Sequence, residues 1–213
     1  MIRLICLLVG YCIGCVQTAY AVGRMKAGID IRQLGSGNAG TTNVARVFGA
    51  PIGAVVFIVD MLKGVAAFFL CQFLFGISGA ALASAGLSVA GLYGGIGAVL
   101  GHNFPFFLKF RGGKGVASSL GVMIAADWRI ALPVFAVGIA IIAVTRYISL
   151  GSMIMLALFA IMSALFGHPL ENSLLAAFIA LMAIWQHRTN IHRLLSNEEN
   201  KFSFSKKGTY KKE

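Results

Sequence analysis

Long apolar stretches alternate with short polar ones along the whole chain. A hydrocarbon core of about 30 Å takes roughly 20 apolar helical residues to cross. Seven stretches approach that length: about 3–23, 51–75, 80–101, 115–127, 130–145, 147–167 and 172–187. The fourth and fifth are short, and Asp127-Trp128-Arg129 stands between them. Fusing them would place Asp127 and Arg129 in lipid, which is costly, so the pattern predicts two spans joined by a tight polar turn. The first run opens with Arg3 in the manner of a signal peptide. It lacks a small-x-small cleavage pattern and further spans follow it, so it reads as a retained helix. No linker, low-complexity stretch or repeat divides the chain. The expectation is one all-α polytopic membrane domain over residues 1–213, with seven transmembrane helices and a short polar tail from about Ser196.

Composition agrees. Of 213 residues, 58% are hydrophobic and only 12% charged, which excludes a soluble domain of this size. The net charge of +11 is unevenly placed. Segments 24–50 and 102–114, Arg146 and the tail carry nearly all the basic residues. Arg3 and Arg129 alone fall on the other side, and Lys63 lies inside a span. The positive-inside rule then puts the N-terminus outside and the C-terminus in the cytoplasm. The same charges attract anionic lipid, and no aromatic-interleaved basic patch points to nucleic acid. Cys12 and Cys15 form C-x-x-C, but inside an apolar helix with no His nearby, which argues against a redox or metal role.

Three polar segments fall on the predicted cytoplasmic side. The first, LGSGNAGTTNVARVFG (34–49), contains G-x-G-x-x-G. A dinucleotide-binding turn needs a strand before it and an acid about 20 residues on. Here an apolar helix precedes the glycines and Asp60 lies inside a span, so NAD is excluded. What remains is a set of short donors, Ser36, Asn38, Thr41, Thr42 and Asn43, among Gly35, Gly37 and Gly40, with Arg46 for charge: an anion site, or else a loop rich in turn formers.

The second segment, GHNFPFFLKFRGGKGVA (101–117), ends in R-G-G-K-G. No Ser or Thr follows Lys114, so this is not an ATP-hydrolysing P-loop. Backbone amides of Gly112 and Gly113, a helix N-terminus, Arg111 and Lys114 still make a phosphate site. In the third, HRTNIHRLLSNEENKF (187–202), His187, Asn190 and Arg193 recur at i, i+3, i+6 and share an arc if the last helix continues. His187, with an ordinary pKa of about 6.5, suits proton transfer or simple anchoring. Ser149 and Ser152 lie one turn apart beside Arg146. Asp60 and Lys63 are read as a mutual pair facing the bundle interior, with a structural role.

These segments, with RYISLGS (146–152), resemble in order and content the bacterial acyl-phosphate:glycerol-3-phosphate acyltransferases of the PlsY type. The likeness spans nearly the whole chain; Arg111 stands where Lys is expected and Asn197 where Gly is expected. The resemblance implies seven transmembrane helices in the bacterial inner membrane, with a site open to the cytoplasm. It implies transfer of an acyl group from acyl phosphate to position 1 of glycerol-3-phosphate, releasing 1-acyl-glycerol-3-phosphate (lysophosphatidic acid) and inorganic phosphate.

The residues fit that reaction. Acyl phosphate is already activated, and the few scattered acids form no metal cage, so no metal or cofactor is expected. The H-x-x-x-x-D signature of acyl-CoA-dependent glycerolipid acyltransferases is missing after His102 and His187. Catalytic residues are expected at His187, Asn190 and Ser36. Phosphate or substrate contacts are expected at Gly37, Asn38, Gly40, Thr41, Asn43, Arg46, His102, Gly112, Gly113, Lys114, Ser149 and Arg193. Ser36 is not expected to carry the acyl group, since no His–acid pair activates it. Either His187 or the donor phosphate takes the proton. The partners are the two substrates and the bilayer, with the enzyme acting as a monomer. A transporter of a phosphorylated solute is the rival from another class. A metal-dependent CDP-alcohol phosphotransferase is excluded by its need for several Asp residues.

Overall fold

The computed structural model describes residues 1–76, 88–202 and 208–210, and every regular element among them is helical. Besides 3-10 turns at Ile31–Gln33 and Phe106–Leu108, the α-helices in chain order are α1 (Ile2–Gly14), α2 (Thr18–Ala27), α3 (Thr41–Phe48), α4 (Ala50–Phe75), α5 (Val89–Asn103), α6 (Val116–Thr145), α7 (Ile148–Leu165), α8 (Leu170–Gln186) and α9 (Arg188–Leu195). Helices α4, α7 and α8 match the predicted stretches within a few residues. The predicted helix over 80–101 is present from Val89; its first residues lie outside the described ones.

The first stretch departs from expectation. It is not one helix: α1 stops at Gly14 and α2 starts at Thr18. The cause is polar. Gln17 Nε2 donates to the carbonyls of Gly14, Gly101 and His102 at 3.3, 3.2 and 3.1 Å, and Lys63 Nζ donates to the Val16 carbonyl at 2.9 Å. Irregular backbone at membrane depth is tolerated where protein, not lipid, satisfies it.

Within α6, a stretch of 30 residues, Asp127 has non-helical φ −151° and ψ 96°, so two helices meet there. A straight helix of that length would separate its ends by about 45 Å. Instead Lys114, just before α6, donates to Asn190, and Asn190 shares Glu199 with Ser149, just after α6. Both ends of α6 therefore stand at one pole, and the chain turns back at Asp127. Asp127 Oδ1 accepts from the Arg129 N–H at 3.0 Å and so caps the returning half. Arg129 Nη2 and His168 Nε2 lie 3.0 and 3.3 Å from Asp127 Oδ2.

Side-chain distribution is that of a bundle in lipid. Phe68, Leu92, Leu120, Met123, Leu156 and Phe159 are buried between α4, α5, α6 and α7. Phe73, Val144 and Leu181 point outward, 86%, 85% and 65% exposed. Glycines set the close crossings, as expected where apolar burial alone cannot drive helix association. A Cβ at Gly97 would lie 2.3 Å from the Leu7 carbonyl oxygen, and one at Gly14 2.1 Å from that of Ala98, which fixes α1 on α5. Gly64 and Gly121 serve the α4–α6 crossing in the same way. Gly97→Val is expected to lower stability by about 1–3 kcal/mol, the usual cost of overpacking. A fall in the thermal unfolding midpoint in detergent checks this; an unchanged midpoint would contradict the close crossing.

The described residues of the tail are held on the bundle. Phe202 N–H donates to the Arg146 carbonyl at 2.8 Å, and the Thr209 and Tyr210 N–H groups donate to the Arg46 and Val47 carbonyls at 3.2 and 3.0 Å. The Tyr210 ring meets Phe48 edge-on at 5.5 Å. The tail thus touches both the start of α7 and the end of α3, on either side of one cavity.

Candidate active site

That cavity, about 800 Å³, opens at the pole where α3, the ends of α6, the start of α7 and α9 meet. Every site residue expected from the sequence lines it. One lip is the loop 34–40 with α3. Gly35 and Gly37 sit at φ 59° and 74°, conformations suited to glycine, so the loop wraps tightly ahead of α3. Ser36 faces solvent, and Asn38, Thr41 and Arg46 are partly covered. Asn43 is fully buried. Its Oδ1 accepts from the Ser36 N–H at 2.7 Å, and its Nδ2 donates to the Ile31 and Leu34 carbonyls at 3.2 and 2.9 Å. Asn43 therefore shapes the loop.

The second glycine-rich loop holds a correction. The N–H groups of Gly112 and Gly113 are not turned toward a ligand. They donate to the Asn103 and His102 carbonyls at 3.0 and 3.1 Å, closing the C-terminal end of α5. A Cβ at Gly112 would sit 2.0 Å from the His102 carbonyl oxygen, so glycine is required by close approach. The donors this loop offers are Arg111, Lys114 and the first turn of α6, where Val116 and Ala117 line the cavity and lack intrahelical N–H partners.

Opposite stands a polar cluster. Lys114 Nζ donates to Asn190 Oδ1. Asn190 Nδ2 and Ser149 Oγ donate to Glu199 Oε1 at 2.6 and 2.8 Å, and Arg193 Nε donates to Glu199 Oε2 at 3.0 Å. Glu199 is the residue that sequence reasoning missed. Its signal was faint: one acid of a pair in a basic tail, next to the His-Asn-Arg arc. Burial opposes its charge, but hydrogen bonds from Asn190 and Ser149 and the nearby Arg193 outweigh that and hold its carboxyl below the ordinary range. Burial is also what most lowers Lys114. The Glu199 carboxylate resists, while Arg193, Arg188 and Arg46 add to the fall, which reaches about 8.

Helix α8 ends at Gln186 and α9 restarts at Arg188, so the expected continuous helix is broken at His187. His187, Asn190 and Arg193 nevertheless share the cavity. His187 is 3% exposed, and its Nδ1 donates to the Ala183 carbonyl at 2.7 Å, which leaves Nε2 as an acceptor. Burial, and then the Lys114 ammonium, push this imidazole down to about 4, so it is neutral at pH 7. Below the polar cluster the wall is apolar, formed by Phe57, Leu120, Phe135, Ile142 and Met155.

Asp60 and Lys63 form the expected pair, 2.8 Å apart and buried. They do not stand apart from the site, since Asp60 lines the cavity and Lys63 Nζ lies 2.7 Å from Nδ1 of His102.

A family model described as glycerol-3-phosphate acyltransferase matches residues 4–197. A glycerol-3-phosphate acyltransferase of Thermoanaerobacter sp. (strain X514) is 42% identical over 194 residues, covering 91% of this chain and 92% of that one. One from Clostridioides difficile (strain 630) is 42% identical over 201 residues, 93% and 94% of the two chains. The crystal structure of PlsY, an integral membrane glycerol 3-phosphate acyltransferase, in its glycerol 3-phosphate form superposes with a TM-score of 0.83. It is 34% identical and covers 94% of this chain and 96% of that one. Loop by loop and helix by helix, this chain belongs to the glycerol-3-phosphate acyltransferase family.

Proposed function

We propose that this chain transfers the acyl group of a fatty acyl phosphate to the position-1 hydroxyl of glycerol-3-phosphate, giving lysophosphatidic acid and inorganic phosphate for phospholipid synthesis. One observation carries this reading beyond the family match. A single cavity is lined by the cations Arg46, Lys114 and Arg193 and also by an apolar wall. Two phosphate-bearing substrates, one with a fatty chain, need that combination. A related PlsY structure is described as a lysophosphatidic acid form, which agrees with the product.

The chemistry is direct transfer. The glycerol oxygen attacks the acyl carbonyl carbon, the C–O bond to phosphate breaks, and phosphate leaves. Ser36, Gly37, Asn38, Gly40, Thr41 and Arg46 bind one phosphoryl group within the loop shaped by Asn43. Lys114, Ser149, Arg193 and His102 hold the other, on a loop whose turn Gly112 and Gly113 make possible. His187 Nε2 accepts a hydrogen bond from the attacking hydroxyl, and Asn190 supports the developing oxyanion. A neutral imidazole held near 4 orients that hydroxyl better than it takes its proton. The departing phosphate, the stronger base, carries the proton away.

The chain works in the bacterial inner membrane as one monomeric domain of seven spans. These are α1 with α2, α4, α5, the two halves of α6, α7 and α8. The basic residues of the loops at the site pole support a site facing the cytoplasm and an N-terminus outside.

The test is purified protein in detergent with no added metal, given glycerol-3-phosphate and either palmitoyl phosphate or palmitoyl-CoA. Equal amounts of phosphate and lysophosphatidic acid are expected from palmitoyl phosphate, and none from palmitoyl-CoA. Uptake of glycerol-3-phosphate into reconstituted vesicles without acylation would overturn the reading in favour of transport.

A further inference from the structure

The Asp60–Lys63 pair lies inside the bundle beside the cavity, and neither residue has a part in the reaction above. Its geometry is nonetheless specific. An ammonium has three N–H donors. Those of Lys63 meet three acceptors: Asp60 Oδ1 at 2.8 Å, the Val16 carbonyl at 2.9 Å and His102 Nδ1 at 2.7 Å. Asp60 Oδ1 also accepts from Thr18 Oγ1 at 2.9 Å. The break between α1 and α2 supplies both Val16 and Thr18, so the interrupted first helix exists to build this cluster as well as to accommodate Gln17.

A nitrogen that accepts from an ammonium carries no proton, so His102 is the tautomer with its hydrogen on Nε2. That nitrogen makes no hydrogen bond with the described residues, although the residue is only 4% exposed and lines the cavity. It faces the place where the two glycine-rich loops converge. A Cβ built on Gly113 would lie 2.0 Å from His102 Nε2 and 2.8 Å from the Ala39 carbonyl oxygen. A donor with no protein partner among the described residues, on a side chain that lines the cavity beside both glycine-rich loops, is open to a ligand acceptor.

We infer that Lys63, held by Asp60, Thr18 and the Val16 carbonyl, is a positioning residue that locks His102 as an Nε2–H donor to a substrate phosphoryl oxygen where the two loops meet. This rests on the reaction proposed above. The contact is a neutral donor to an anion, and its loss is worth about tenfold or more in affinity. No bond is made or broken by Lys63 itself.

The test pairs variants, because Lys63→Met alone leaves Asp60 buried without its cation. Lys63→Met with Asp60→Asn removes both charges. The protein is first checked for an unchanged detergent unfolding midpoint and lipid-free monodispersity. The expected result is a KM for one phosphate-bearing substrate raised at least about tenfold, with kcat within about threefold. Glutamine places an amide N–H near the imidazole Nε2 without needing a partner at Nδ1. In a His102→Gln background the paired substitution is therefore expected to change KM by less than about threefold. An unchanged KM for both substrates in the folded pair variant overturns the inference. An equal loss in both backgrounds also overturns it, since that marks plain structural damage. Nitrogen-15 spectra of histidine-labelled protein give a readout independent of activity. His102 is expected to show an unprotonated Nδ1 in the unmodified protein and a tautomer mixture in the pair variant. If the unmodified protein makes no lysophosphatidic acid, the proposed reaction falls. If the spectra show a protonated Nδ1, the lock falls.

Discussion

Lys114→Ala is expected to cut kcat/KM by about 10²–10³-fold while leaving the protein folded. The side chain sits at the mouth of α6, donates to Asn190 and is surrounded by Arg193, Arg188 and Arg46. It points into a cavity lined on one side by apolar residues, where a preorganised cation acts more strongly than in water. Its loss leaves a phosphoryl group facing Asn190 and the Glu199 carboxylate with one charge fewer to hold it. The same environment predicts a pH limb. Burial brings the ammonium down to about 8, so the free enzyme loses this charge as pH rises through 8. The form that binds phosphate is the protonated one. Consequently kcat/KM is expected to decline above about pH 8, approaching tenfold per unit. Lys114→Arg, which stays charged, should abolish that decline even if its longer fork lowers the plateau. A flat profile to pH 9.5 in the unmodified enzyme would show that Lys114 does not carry substrate charge.

Glu199→Ala is the second large effect, and it is expected to strike stability and activity together. One carboxylate accepts from Ser149, Asn190 and Arg193, so it joins the start of α7, α9 and the tail. Removing it leaves Arg193 and the Lys114–Asn190 contact without their counter-charge. The Arg193 side chain is 37% exposed, so breaking this partly buried arrangement costs about 1–3 kcal/mol. Activity should fall at least about 100-fold, because Asn190 and Lys114 lose their fixed positions. Stability should follow pH in a defined direction. The folded carboxyl is held below its ordinary value, so its contribution is present above that value and is lost as pH falls through the folded one. The variant should therefore lack part of the acid-side destabilisation seen in the unmodified protein. An unchanged unfolding midpoint and kcat/KM for Glu199→Ala would sink this account.

The division between what is local and what is not runs through particular residues. Apolar runs of the right length foretold α4, α7 and α8, because span length and burial in lipid are properties of a contiguous stretch. The turn at Asp127 was legible because a charged tripeptide cannot stay in hydrocarbon unless the chain leaves its helix there. Glycine-rich motifs with a Lys or Arg nearby marked both lips of the cavity, since short loops with cations serve phosphate in any fold. The roles of individual groups were not legible. Asn43 and the amides of Gly112 and Gly113 look like phosphate ligands in sequence, but their hydrogen bonds go to Leu34, His102 and Asn103. Glu199 gained its meaning from Ser149, fifty residues away in the chain, and Lys63 from His102, thirty-nine away. The break after Gly14 was invisible for the same reason. An apolar run reads as one helix until a distant Gln17–Gly101 contact and the Lys63 ammonium satisfy the backbone it releases. Sequence by itself determined the apolar stretches that become α4, α7 and α8, the polar pole and the family. Only the tertiary structure decided which donors stay free for substrate, because a donor is free only when no distant acceptor has claimed it.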